Sequence, residues 1–141
     1  MKTLKIVLIG FAIAAGGFAG ETGTPVPAPF FSNFEWTNMT YKTVNGKTLE
    51  IFLFPPAVKK YDAAPFMVYF HGGGWQRGSH NQIFNWQSMP FFLKEGIACA
   101  SVQYRLIGTD AKTVEDCMED CKDGVRFLVQ HAGEFGLDPT R

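Results

Sequence analysis

Between residues 41 and 54 the chain alternates. Leu49, Ile51 and Leu53 fall on one side of an extended segment, and Glu50, Phe52 and Phe54 on the other; this is the period of two of a β-strand. Asn45-Gly46 precedes that segment. Such a pair adopts positive φ at both turn positions and matches strand twist, so 41–44 and 47–54 predict a hairpin. Pro55-Pro56 ends it, and a polar loop over 59–64 leads to 65–70, an apolar run that predicts a buried strand. Over 85–95 the period becomes helical, with Trp86, Met89, Phe92 and Leu93 on one face and Gly96 as a stop. Pro90 lies inside this helix and removes a donor. Residues 97–104 predict a strand buried on both faces. Strand, helix, strand implies a right-handed crossover and a parallel pair.

The longest predicted helix covers 113–132. Thr113 with Asp116 three residues on forms a capping-box variant. Val114, Cys117, Met118, Cys121, Val125, Leu128 and Ala132 predict one apolar stripe. Glu115, Asp116, Glu119, Asp120 and Asp123 are expected on the solvated surface, weighted toward the N-terminal half, where the helix dipole favours them. Three cysteines, Cys99, Cys117 and Cys121, are expected to be free, and they lack the Cys/His clustering of a metal site.

The N-terminus has a different character. Lys2 and Lys5 precede an apolar run over 6–15, and Gly17-Phe18-Ala19 supplies small residues at both positions a signal peptidase requires. Residues 1–19 predict a secretory signal peptide; an uncleaved membrane anchor is the alternative. Residues 20–39 predict a proline-rich arm, with Pro25, Pro27 and Pro29 favouring extended chain. Phe30, Phe31, Phe34 and Trp36 are expected to dock it on the body. Residues 40–141 form the domain. A secreted or periplasmic product follows. Thirteen basic and thirteen acidic residues give zero formal charge, which removes any electrostatic case for nucleic acid or an anionic membrane.

The chemistry concentrates in His71-Gly72-Gly73-Gly74-Trp75, directly after a core strand. Three glycines there are hard to explain by packing, because each costs backbone entropy to order. They allow positive φ and close approach of a ligand to the main chain. Amides in such a turn can converge on one point, the geometry that stabilises an oxyanion.

Residues 69–75 resemble the glycine motif of α/β-hydrolase esterases and lipases, in the branch similar to hormone-sensitive lipase and the carboxylesterases. Residues 135–141 resemble the segment that precedes the nucleophile strand in those enzymes. The resemblance implies an α/β fold, here the N-terminal half of an α/β hydrolase, with an antiparallel hairpin leading into a parallel βαβ sheet. It implies a carboxylic-ester hydrolase that uses serine and no cofactor or metal, with a small-molecule ester as substrate. Gly72, Gly73 and Gly74 would form the oxyanion hole, Trp75 would line the substrate pocket, and His71 and Arg105 would give structural support. Tyr104-Arg105-Leu106 resembles the family's Asp-Tyr-Arg-Leu, with Gln103 where Asp is usual. No Gly-x-Ser-x-Gly occurs in the 141 residues, so a fragment inactive alone is expected, open to self-association along residues 67–70. A non-catalytic binding protein built on half a hydrolase, or a peptidase or amidase of the same fold, would share these features. His80 and His131 are expected at the surface.

Overall fold

The computed structural model describes residues 34–141; the segment expected as a signal peptide and most of the expected proline-rich arm lie outside that range. A four-stranded mixed sheet in the order β1-β2-β4-β3 forms the centre. The hairpin pairs β1 (Thr37–Val44) antiparallel to β2 (Lys47–Phe54). Its turn is the expected one, with Asn45 at φ 50° and Gly46 at φ 80°. Strand β2 runs antiparallel to β4 (Ala98–Val102), and β4 runs parallel to β3 (Phe66–Tyr69).

All five residues of β4 are buried. On one side, Ala98, Ala100 and Val102 join Ile51, Leu53, Leu128 and Ala132 in a core beneath the long helix. On the other, Cys99 joins Phe52, Phe54, Ile83, Met89 and Leu93. Helices therefore cover both faces, which explains why β2 and β4 carry apolar residues nearly throughout. Trp36 packs at 4.9 Å from Phe52 and 5.6 Å from Phe84, so this part of the arm docks as expected. Strand β3 pairs with β4 alone among the described residues, and Met67 and Phe70 are exposed.

The helix expected within 85–95 is present but shorter, and a 3-10 helix precedes it. A 3-10 helix spans His80–Asn85, and α1 spans Met89–Lys94. Pro90 sits in the first turn of α1, where its missing amide costs nothing. The long helix α2 covers Val114–Gln130 and carries the capping box of Thr113 and Asp116. It breaks at His131 before a short α3, Ala132–Phe135. Its buried face keeps Cys117, Leu128 and, beyond the break, Ala132 from the predicted stripe, leaves Val114 and Met118 exposed, and adds Asp120 and Gly124. Hydropathy cannot register a buried carboxylate or a glycine. A Cβ at Gly124 would lie 2.5 Å from Val102 Cγ1, so glycine sets how closely α2 approaches β4.

Asp120, expected in solvent, is fully buried. Its carboxylate accepts from Arg105 Nε at 2.7 Å, Arg105 Nη2 at 3.1 Å, the Arg105 amide at 3.1 Å and Lys42 Nζ at 2.8 Å. Burial alone would raise its pKa; the donors from Arg105 and Lys42 outweigh burial and hold it below the ordinary carboxylate value. This one group ties β1, the chain after β4 and α2 together. Gln103 fills its unusual position by accepting the Glu50 amide through Oε1 at 3.1 Å. The three cysteines are free, with Cys99 and Cys117 buried.

Removing one partner of a buried ion pair leaves the other uncompensated. Asp120→Ala is expected to cost about 3–5 kcal/mol, and Glu119→Ala, in an exposed pair, to leave the unfolding midpoint nearly unchanged. Urea unfolding measures both, and equal losses would refute the assignment.

Candidate active site

The loop after β3 turns back at once. Gly73 has φ 134°, Gly74 63° and Trp75 66°. The Gly73 carbonyl accepts the amides of Gln76 and Arg77, both at 3.3 Å. A Cβ at Gly73 would lie 1.9 Å from the Arg77 carbonyl oxygen, so the turn itself demands glycine there. Gly72 and Gly74 are different. A Cβ on either meets nothing within 4 Å. Among the described residues, the amides of Gly72, Gly73 and Gly74 have no acceptor and take no part in the sheet ladder.

His71 fixes the start of the loop. Its ring stacks on Tyr104 at 4.2 Å, with 8° between the planes. Its Nδ1 lies 2.9 Å from the Gly72 carbonyl oxygen, which accepts from it. Burial lowers the His71 pKa more than this bond raises it, so the ring is neutral at pH 7. The Tyr104 hydroxyl donates to the His71 carbonyl at 2.6 Å, and burial pushes the phenol up to about 12, so it stays a donor. Trp75 is a bulky residue at positive φ, an unfavourable conformation. The Ile107 amide donates to its carbonyl at 2.8 Å, and its ring packs 5.4 Å from Tyr104.

The structure thus brings His71, Gly72, Gly73, Gly74 and Trp75 together around Tyr104. Arg105 lies one residue further on and is engaged with Asp120 and Asp116. Sequence reasoning missed Tyr104 as the clamp; its signal was its place beside the expected anchor Arg105. It also misplaced His80, which is buried with its ring 4.2 Å from Phe52, because a 3-10 helix not visible in the periodicity carries it inward. No group of His, Cys, Asp and Glu suited to a metal occurs among the described residues. A depression of about 620 Å³ bordered by Lys59, Lys60, Tyr61, Asp62, Ala63 and Arg141 does not include the glycine loop.

The BD-FAE family model matches residues 49–141. The chain belongs to that α/β-hydrolase family. No match is found among curated proteins. Among solved structures, this BD-FAE member is similar to a thermophilic esterase from the planctomycete Thermogutta terrifontis in its native form, at 33% identity and TM-score 0.66, covering 74% of this chain and 37% of the other. The same esterase with propionate bound gives 33% identity and TM-score 0.66, with coverage of 74% and 38%. Its form phosphoramylated by tabun gives 34% identity and TM-score 0.64, with coverage of 74% and 39%. The chain therefore spans well under half the length of these relatives.

The two kinds of glycine predict different responses. Gly73→Ala is expected to destabilise the fold by more than about 1 kcal/mol, whereas Gly72→Ala, with open space around it, should change stability by less than about 0.5 kcal/mol. Thermal unfolding of the pair checks this.

Proposed function

We propose that this chain supplies the oxyanion-hole half of an exported carboxylic-ester hydrolase with a serine mechanism. The observation that carries the reading is the set of amides at Gly72, Gly73 and Gly74 without acceptors, with open space over Gly72 and Gly74. The fold gives no reason of its own for glycine at 72, where φ is ordinary and no neighbour is close. An approaching acyl group does.

In this reading a serine from an elbow outside these 141 residues attacks the ester carbonyl. Negative charge then moves onto the carbonyl oxygen, and the loop amides donate to it. His71 and Tyr104 hold the amides in place beforehand, so little reorganisation is needed as charge develops. Trp75 borders the acyl or alcohol pocket, and Arg105 supports the scaffold through Asp120. Propionate bound to the T. terrifontis esterase supports a small acyl group, and phosphoramylation of that esterase by tabun supports a nucleophilic mechanism. The signal-like residues 1–19 support export to the periplasm or beyond. Among the described residues no helix is long and apolar enough to cross a membrane. The edge of β3 beyond Phe66, whose amide donates to the Arg141 carbonyl, carries exposed Met67 and is followed by exposed Phe70, which supports self-association of these 141 residues.

The 141-residue chain alone is expected to release little nitrophenol from a short-chain nitrophenyl ester. A longer product of the same gene that carries a Gly-x-Ser-x-Gly elbow is expected to release it readily, and Gly72→Ala in that product, which keeps the amide but places a methyl group where the acyl group approaches, should lower kcat/KM. Turnover by the 141 residues that survives serine-directed inhibitors would overturn the reading.

In sizing experiments the 141-residue chain is expected to form dimers or larger species that a charged substitution, Met67→Lys, dissociates. A cooperative monomer at all concentrations would count against the edge contact.

A further inference from the structure

Among the described residues, the buried side-chain nitrogens and oxygens without a hydrogen-bond partner are Nδ1 and Nε2 of His80. The residue is 5% exposed and opens the 3-10 helix. Its carbonyl accepts from Ser101 Oγ of β4 at 2.8 Å, and its ring rests on Phe52 of β2. Ser79, just before it, caps the 3-10 helix by accepting the Asn81 amide at 3.2 Å. Two residues earlier stands Gly78, at φ 102°. A Cβ on Gly78 would lie 2.4 Å from the Gly72 carbonyl oxygen and 2.5 Å from His71 Nδ1. Gly78, two residues from the seat of His80, therefore packs against the two groups that hold the glycine loop.

An apolar ring would fill this seat without leaving polar atoms unpaired. A charged imidazolium would find no counter-charge in it. The glycine loop contributes the neutral His71. The apolar cluster that holds Phe52, on which the ring rests, adds the Cys99 thiol of β4, pushed by burial up to about 12, and the Tyr69 phenol of β3. Strand β2 offers the rings of Phe52 and Phe54, and α1 offers Met89 and Leu93. The 3-10 helix itself, HNQIFN, holds no acid.

We propose that His80 is a positioning residue for the glycine loop, which it holds only while its ring is uncharged, so that acidification releases the loop. Burial, reinforced by His71, pushes the His80 pKa from its ordinary 6.5 down to about 4. The unfolded chain thus takes up the proton first. Stability is complete above the ordinary histidine value and falls as the pH drops from about 6.5 toward about 4.

The test is urea unfolding of the 141-residue chain across that window, with Trp75 and Trp86 emission recorded in parallel. The wild-type unfolding constant is expected to rise by up to about tenfold per pH unit from His80. His80→Phe and His80→Gln, neither of which can charge, should each remove that share of the slope and hold the tryptophan emission steady to lower pH. Titration of the His80 ring in the wild-type chain by NMR does not depend on either variant folding, and a midpoint below 5 is expected. A slope unchanged in both variants, or a ring that titrates near 6.5, would overturn the proposal. Its activity arm rests on the ester-hydrolase reading. In the longer, ester-hydrolysing product, His80→Phe should move the acid limb of kcat to lower pH and leave KM unchanged. Loss of the unfolding slope with no ester turnover at any pH would refute the hydrolase reading alone; an unchanged slope would refute the role of His80 alone.

Discussion

A single buried carboxylate organises this α/β-hydrolase-family chain. Asp120 takes four donors from Lys42 and Arg105, so one fully desolvated charge is shared among the hairpin, the chain leaving β4 and the long helix. The backbone amide of Arg105 is among those donors, which fixes the main chain directly beside Tyr104. Tyr104 in turn grips the carbonyl and ring of His71. The glycine loop is thereby connected to the centre of the molecule through two buried polar contacts, Asp120 to the Arg105 amide and Tyr104 to the His71 carbonyl. Each is shielded from water, where such contacts are worth most and where an unmade one costs most.

The loop separates two uses of glycine that look identical in sequence. At 73 and 78 the fold itself excludes a side chain, by backbone overlap at one and by contact with Gly72 and His71 at the other. At 72 the fold asks for nothing. The adjacency of these positions means that the turn is shaped by some glycines so that others can stay bare toward a reacting group. Strain at Trp75 has the same origin: the chain must leave the turn in a left-handed conformation, and packing on Tyr104 holds it there.

Much of the architecture was legible in the order of residues. The hairpin was legible because Asn45-Gly46 specifies its turn locally, and β4 because its run of small and apolar residues is interrupted by Ser101 alone. The capping box was legible because Thr113 and Asp116 satisfy each other's backbone without tertiary help. The glycine motif was legible through its family resemblance. What could not be read depended on distant partners. Asp120 looks solvated until Arg105 and Lys42 reach it from other elements. His80 looks exposed until a 3-10 helix, with too short a period to register, turns it under Phe52. The face of α2 was partly misjudged for the same reason, since Gly124 is buried by its lack of volume against Val102.

The three free cysteines carry a consequence for redox chemistry. Burial raises the thiols of Cys99 and Cys121 to about 12, so at neutral pH only about one in 10⁵ of either exists as thiolate, the species that attacks a disulfide. Once native, the chain is chemically quiet toward glutathione and toward disulfide-forming catalysts. Mispairing is confined to the interval before β4 and α2 close over these sulfurs, so the speed of collapse, rather than any redox buffer, decides whether the thiols survive intact.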